Sequence, residues 1–541
     1  MKKLSTLVLV FIMSGTLLHA QLPATYDLRN VDGENYVTSV KSQQGGTCWT
    51  HGSMASLESN LLMSGNWTAA GETDEPDLAE YHLDWWNYYN EYYNPDLDPP
   101  FNNGQGLEVH MGGDYRVTTA YISRLDGTVR EEDGQDYNSP KPLFDTSYHF
   151  YYPMDVEWYT MGADLQNIDL LKQKVIDYGV MAICICYSGS FINNEYEHYQ
   201  PPSDNQEPNH SVAVIGWDDS RVTQAPLPGA WLVKNSWGDG WGFDGYFWVS
   251  YYDKQACRNP EMGAVSFYNV ERSTFDTAYY HDAHGWRDTA DFSMAMNAFE
   301  TSRGESIVAV SFFSADDSVN YTVSIFGSFD GDTLADLFST KSGFIEFTGL
   351  HTIMLDDTIE FVKNTSFYAY LQVSKGGIAY DRTSEVPVLL GASTRVIVPS
   401  AANEGESYYF ENGQWNDFYH YDDPSGFQNT GNFCIKALAV HNLTVGIEQN
   451  PIQKAEFLDN YPNPFSESTT INFSLKAAAD IEISVYSMNG QLLETIAKAY
   501  YTPGDYSANW TPSTNQSPGI YFCTIQENGK VLATRKLMKV N

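Results

Sequence analysis

The stretch Val40-Lys41-Ser42-Gln43-Gln44-Gly45-Gly46-Thr47-Cys48-Trp49 runs directly into a helical pattern. Met54, Leu57, Leu61 and Leu62 recur at helical spacing, and Gly65 supplies a residue on which a helix can end. Cys48 is therefore expected at or near a helix N-terminus, behind a glycine turn. The partial positive charge of that end favours a thiolate over a thiol. A nucleophilic thiolate needs a cationic partner that also carries a proton, and histidine does both. The histidine in turn needs a side chain to fix its ring, commonly Asn or Asp.

Two later segments supply these parts. Asn209-His210-Ser211-Val212-Ala213-Val214-Ile215-Gly216-Trp217 puts His210 at the start of an apolar strand. Trp231-Leu232-Val233-Lys234-Asn235-Ser236-Trp237-Gly238 puts Asn235 at the end of another. The order Cys48-Trp49, His210, Asn235-Ser236-Trp237-Gly238, then Trp241-Gly242 and Gly245-Tyr246, resembles the papain family of cysteine peptidases. The resemblance covers about residues 22–260. It implies an α+β papain-like catalytic domain, with a helical half and a β half. It also implies hydrolysis of peptide bonds through a thioester acyl-enzyme, with no cofactor and no metal.

Under that resemblance Cys48 is the nucleophile, His210 its acid–base partner, and Asn235 the group that orients His210 under the indole of Trp237. The Cys48 N–H and a glutamine side chain form the oxyanion hole. Gln43 fits by its place after Val40-Lys41-Ser42; it stands one residue nearer to Cys48 than is usual in the family, which keeps Gln44 as an alternative. Gly112-Gly113 resembles the family's glycine pair that hydrogen-bonds the substrate backbone, and Trp237 and Trp241 join the expected substrate-binding set. His51, one helical turn after Cys48, is expected to be a packed core residue.

Two departures bear on regulation. Gly45 stands where relatives often carry a disulfide cysteine. The mature-domain signature, Leu22-Pro23 then Asp27-Leu28-Arg29, begins almost at the expected signal cleavage site, leaving no room for the family's N-terminal inhibitory propeptide. Any latency must then come from the C-terminal region, the long acidic insertion, or delayed folding.

The rest of the 541-residue sequence frames this region. At about 100–200 residues per domain, its length suits three domains. Residues 1–20 form an expected signal peptide: Lys2 and Lys3, an apolar run from Leu7 to Met13, and Leu18-His19-Ala20 as the cleavage site. The expected domains are 21–265 (papain-like), 266–442 (all-β), a linker over 443–455, and 456–541 (all-β again), so that two all-β sandwich domains follow the catalytic one. A net charge of −39 argues against nucleic acid as a partner, since polyanions repel. No segment after the signal peptide is apolar enough to be expected to cross a bilayer. The six cysteines are dilute and lack zinc-type spacing; apart from Cys48 they are expected as small buried hydrophobes.

In the middle region Tyr321, Val323 and Ile325 alternate with Thr322 and Ser324, the period of a half-buried strand. This region, with Tyr279-Tyr280-His281-Asp282-Ala283-His284-Gly285-Trp286, resembles the lectin-like β domain of some prokaryotic papain relatives, which implies a possible glycan or surface partner. His281, Asp282 and His284 are expected in a hydrogen-bonded turn rather than around a metal. In the tail Ile471, Phe473 and Leu475, then Ile481, Ile483 and Val485, alternate with polar residues, and Asn489-Gly490 is a hairpin turn signal. With Asn460-Tyr461-Pro462-Asn463-Pro464-Phe465, Ser517-Pro518-Gly519-Ile520-Tyr521 and the terminal Arg535-Lys536-Leu537-Met538-Lys539-Val540, the tail resembles the C-terminal sorting domain of type IX secretion substrates. It implies that secretion machinery is a partner, and a place outside a Gram-negative cell, either free or on its surface. Two rival functions stand beside a secreted endopeptidase acting on proteins or peptides. One is a non-catalytic adhesin on a papain-like shell; the other is an exo-acting peptidase or amidase whose cleft is partly blocked by the insertion over residues 72–103.

Overall fold

The computed structural model describes residues 22–441, 455–475, 478–487, 491–513, 516–527 and 530–540. The expected signal peptide, nearly all of the expected linker and the Asn489-Gly490 turn lie outside these residues.

The helix expected after Cys48 spans Cys48–Ser64 and ends on Gly65, whose φ of 72° is left-handed. Met54, Leu57 and Leu61 are buried, and so are the serines between them. Their hydroxyls are satisfied by backbone carbonyls: Ser53 donates to Trp49 O (2.9 Å), Ser56 to Val180 O (2.6 Å) and Ser59 to Tyr36 O (2.7 Å). A helix buried on all sides is held by its surroundings rather than by propensity. Each fully buried Leu contributes about 1.5–3 kcal/mol of apolar burial.

Against this helix lies a sheet in which Met181–Ile185, His210–Asp218, Ala230–Lys234 and Tyr246–Ser250 pair antiparallel in that order. Val212, Val214 and Ile215 are buried, as befits a strand covered on both faces. The sheet does not stop at the edge of the papain-like region. Met181–Ile185 also pairs with Ala264–Arg272, which pairs with Tyr151–Tyr159, which pairs with Gly349–Phe361 of the middle region. The expected boundary at 265/266 therefore falls inside a strand, and the described residues 22–441 belong to one compact unit.

In the middle region a six-stranded sheet, with Val319–Phe329, Ser366–Val373 and Met294–Glu300 at its centre, packs against Glu305–Ser314 and Ile435–His441. Ile307, Val310 and Phe312 meet Val323, Ile325, Phe367 and Leu371 in that core. The alternating residues Tyr321, Val323 and Ile325 point inward, as their spacing predicts. His281 and His284 sit in a hydrogen-bonded turn. His281 Nε2 meets Ala298 O (2.8 Å), His284 Nδ1 meets Ser400 Oγ (2.7 Å), and Asp282 forms a buried ion pair with Lys436.

The second unit, described by itself, is a sandwich of two antiparallel sheets. Ala455–Tyr461, Thr469–Leu475 and Gly504–Trp510 make one; Leu492–Tyr501, Ala479–Ser487, Gly519–Glu527 and Lys530–Lys539 make the other. Ile471, Phe473, Ile481, Ile483, Val485 and Trp510 fill its core. Among the described residues all six cysteines are free and buried, and no helix is long and apolar enough to cross a membrane.

Candidate active site

One glycine lets the site assemble. A Cβ on Gly52 would lie 2.2 Å from Ser211 Oγ, so only glycine lets the Cys48 helix press against the strand that begins at His210. Cys48 is the first residue of its helix, and the backbone N–H of Ser211 reaches its sulfur. The thiol and the histidine strand are thus brought together across the long sequence gap between them.

The histidine is fixed on two sides. His210 Nε2 donates to Asn235 Oδ1 at 2.8 Å, which leaves Nδ1 with its lone pair in the neutral ring. The Trp237 indole stacks on the imidazole, centroids 4.5 Å apart and 22° from parallel. Trp241 packs edge-on against Trp237 at 5.1 Å, so it backs the indole that covers His210.

Ser236, between Asn235 and Trp237, has a part that motif reading left without a role. Its hydroxyl donates to Gln43 Oε1 (2.6 Å), and its carbonyl accepts the Gln43 N–H (2.8 Å). Gln43 Nε2 meanwhile donates to Gly45 O at 3.0 Å, which leaves its second N–H free. Three consecutive residues therefore hold the imidazole edge, the glutamine amide and the imidazole face. The neighbouring Gln44 is held elsewhere, its N–H donating to the Tyr81 hydroxyl at 3.0 Å.

Beneath the helix lies a buried ionic cluster. Lys41 pairs with Glu58 (2.7 Å), Glu80 (3.2 Å) and Asp77. His51 packs into this layer: its Nδ1 meets Thr47 O at 2.9 Å and its Nε2 lies 3.9 Å from Glu80. Sequence position alone showed none of the ionic partners of His51 or Lys41.

Burial works against the helix end. It pushes the Cys48 thiol up to about 12, although the N–H groups of Ser211 and Trp49 and its own N–H oppose this. Burial pushes His210 down to about 4, against the hydrogen bond to Asn235. Desolvation thus disfavours the charged form of both groups.

Gly112 and Gly113 lie beside this group. Gly113 packs on Trp49, where a Cβ would come within 2.4 Å of the indole. Its backbone pairs with Leu390 of the middle region. The acidic insertion takes another course. Asn94 donates to Pro399 O (2.9 Å) and Tyr88 O accepts from His284 (3.1 Å), so part of the insertion docks on the middle region. Asp96, His284 and Asp381 bring ligand atoms within 4.8 Å of one another. Both ring nitrogens of His284 are already engaged, by Ser400 and Tyr88, so the imidazole offers no free lone pair to a cation.

Comparison with known proteins agrees with this geometry. Residues 110–266 match the family described as papain family cysteine protease, 278–439 the lectin like domain, and 459–540 the secretion system C-terminal sorting domain. Cysteine proteinase 2 of Entamoeba histolytica is 26% identical over 230 residues, 42% of this chain and 64% of that protein. Mouse (Mus musculus) cathepsin K is 25% identical over 257 residues, 45% of this chain and 64% of that protein. The chain thus spans somewhat less than two thirds of the length of these relatives. The crystal structure of the cysteine protease and lectin-like domains of Cwp84, a surface layer associated protein of Clostridium difficile, superposes with a TM-score of 0.61. It covers 78% of this chain and 89% of that one at 21% identity, a likeness of fold. A C-terminal secretion sorting domain indicates secretion or a place on the cell surface. The chain carries a papain-family cysteine protease region of the cysteine-type hydrolases, followed by a lectin-like domain and a secretion sorting domain.

Proposed function

We propose that this chain is an exported endopeptidase that cleaves protein substrates through Cys48, His210 and Asn235. The observation that carries the reading is His210, clamped between Asn235 and Trp237 at the start of the strand that packs against the Cys48 helix through Gly52 and Ser211. Cys48 Sγ attacks the carbonyl carbon of the scissile peptide, and its proton passes to His210 Nδ1. The oxyanion takes hydrogen bonds from the Cys48 N–H and the free N–H of Gln43 Nε2. The tetrahedral species collapses to a thioester, and the amine leaves with the proton from His210. Water, deprotonated by His210, then attacks the thioester; the acid departs and the thiol is restored. Asn235 keeps the imidazole in the tautomer that can accept at Nδ1. The sorting domain would take the chain through type IX machinery to the outside of a Gram-negative cell.

The full chain is expected to cut a denatured protein at internal bonds, mapped by mass spectrometry, and to be labelled on Cys48 by a thiol-reactive epoxide. A chain that labels at Cys48 but releases only terminal residues would replace this reading with an exopeptidase.

Ser236 gives a finer test of the oxyanion hole. Gln43→Ala is expected to lower kcat by about 10²–10³-fold with KM little changed. Ser236→Ala removes one hydrogen bond to Gln43 and is expected to lower kcat about five- to tenfold, the effect of roughly 1 kcal/mol. Because Ser236 acts through Gln43, the double variant should match Gln43→Ala alone. Additive losses in steady-state kinetics would show that Ser236 acts elsewhere.

A further inference from the structure

Residues 386–396 form a hairpin loop rising from the short ribbon Ser384–Glu385 and Ile397–Val398 of the middle region. Its tip enters the cleft beside Cys48. The Leu390 N–H donates to Gly113 O (2.8 Å), and the Gly113 N–H donates back to Leu390 O (3.2 Å). The next N–H, that of Gly391, donates to Asn209 O at 3.0 Å; Asn209 is the residue before His210. Leu390 is fully buried, in the same core cluster as Trp49.

The approach is close enough to demand glycine on both sides. A Cβ on Gly46 would lie 2.4 Å from Gly391 O, and a Cβ on Gly391 would lie 2.4 Å from Gly46 O. Gly391 has a φ of 87°, which a side chain would strain. Ala392 then folds back, its N–H donating to Leu389 O at 3.2 Å, and its Cβ region crowds Gly112. The chain enters pairing antiparallel with Gly113, as an extended peptide would, and leaves as a turn.

We propose that this loop is a built-in competitor for the cleft: it takes with its own backbone the groups that must hold a substrate peptide, and the protease works only when the loop is displaced. The claim rests on Cys48 being the nucleophile, as proposed above. Extended peptides dock by reciprocal main-chain hydrogen bonds, and one residue cannot give the same N–H and C=O to two partners at once. Gly113 and Asn209 are occupied, so peptide and loop exclude each other. The desolvation of Cys48 and His210 is what a covered site produces.

The outer flank of the loop is loosely seated. A cavity of about 200 Å³ separates its outer residues, Pro387 and Ser393 among them, from Glu207 and Pro208. The one ion pair across that gap, Arg395–Glu207 at 3.9 Å, is largely exposed and so adds little hold. The tip is held by three backbone hydrogen bonds to the cleft, and Val386, Val388, Leu389 and Leu390 are buried in the cluster that contains Trp49, so displacing it must overcome that apolar hold.

The test uses the full chain and two tip variants. Gly391→Asp puts a Cβ against Gly46 O, and Leu390→Asp puts a carboxylate into an apolar site; neither residue belongs to the proposed catalytic machinery. If the open fraction of the parent is below about one in ten, opening raises both rates read here by about tenfold or more. Those rates are alkylation of Cys48 by iodoacetamide, followed by mass spectrometry, and kcat/KM on a fluorogenic peptide. A circular-dichroism melt checks that each variant is folded, and one folded variant suffices. Faster alkylation together with faster turnover supports the competitor. Faster alkylation without turnover in any form supports the loop as a cover while overturning the peptidase reading. Unchanged alkylation and turnover in a folded variant of an active parent would overturn the competitor and leave the peptidase reading standing.

Discussion

Replacing Cys48 by Ala is expected to abolish turnover, a loss on the order of 10⁴-fold or more, because the members of a nucleophile–base pair act as one unit and removing either forfeits nearly all of it. The fold should survive. Cys48 is buried but contributes only one sulfur to its surroundings, and the helix it begins is held by Met54, Leu57 and Leu61 farther along. The cost of the lost sulfur is about 1 kcal/mol, at the low end of core truncations. Cys48→Ser keeps the volume and replaces the sulfur with a far weaker nucleophile, so it should be comparably inactive and melt with the parent. Peptide hydrolysis and a thermal melt on each variant decide the matter. Retained activity in Cys48→Ala would move the nucleophile elsewhere.

The second large effect is expected in stability, from Lys41→Met. Its ammonium faces Glu58 and Glu80, each about 1% exposed, and Asp77. The carboxylate of Glu58 also accepts from Leu78 N (3.0 Å) and Thr38 Oγ1 (2.6 Å), so it cannot turn out to water. Met preserves the stem and deletes the charge, leaving buried carboxylates without their cation. Breaking such a cluster from one side costs about 3–5 kcal/mol, read as a fall in the urea midpoint.

The pH dependence of that loss has a definite sign. Burial raises the Glu80 pKa, but Lys41 and then His51 outweigh it and hold the group at about 2, below its ordinary 4.5. A lowered pKa in the fold contributes stability above the ordinary value, and that stability is lost as pH falls from 4.5 toward 2. In Lys41→Met burial loses its main opponent, the Glu80 pKa rises, and protonation in the fold becomes favourable. The difference between parent and variant should therefore be larger at pH 7 than at pH 4. An equal difference at both values would show that Lys41 acts through packing alone.

The candidate site is legible in sequence because its chemistry admits few residue types. A thiol behind a glycine turn, a histidine opening a strand and an asparagine before Ser-Trp-Gly leave little choice of partners. Gln43 is legible with them, and the structure adds its hydrogen bond from Ser236, which no motif shows. The loop at Leu390-Gly391 was not legible. It binds through backbone groups, which carry no side-chain signature, and its partners Gly46, Gly113 and Asn209 are far away in the chain. The burial of Cys48 is not legible for a related reason: the helix end is a local feature, whereas burial depends on what the whole fold lays over the thiol. The insertion over 72–103, which the exo-acting rival would set across the cleft, is anchored in part to the middle region through Asn94 and Tyr88, contacts that only tertiary structure reveals.

Ala264–Arg272 pairs with Tyr151–Tyr159 and Met181–Ile185, while Tyr151–Tyr159 pairs onward with Gly349–Phe361. A protease fragment trimmed at residue 266 would keep every catalytic group and lose most of this strand. It would present the bare flank of Tyr151–Tyr159 to solvent, a template for sticking to other chains. Evolution could not have bolted this β region onto a finished enzyme without re-weaving the joint, so the two must now be inherited, folded and lost together.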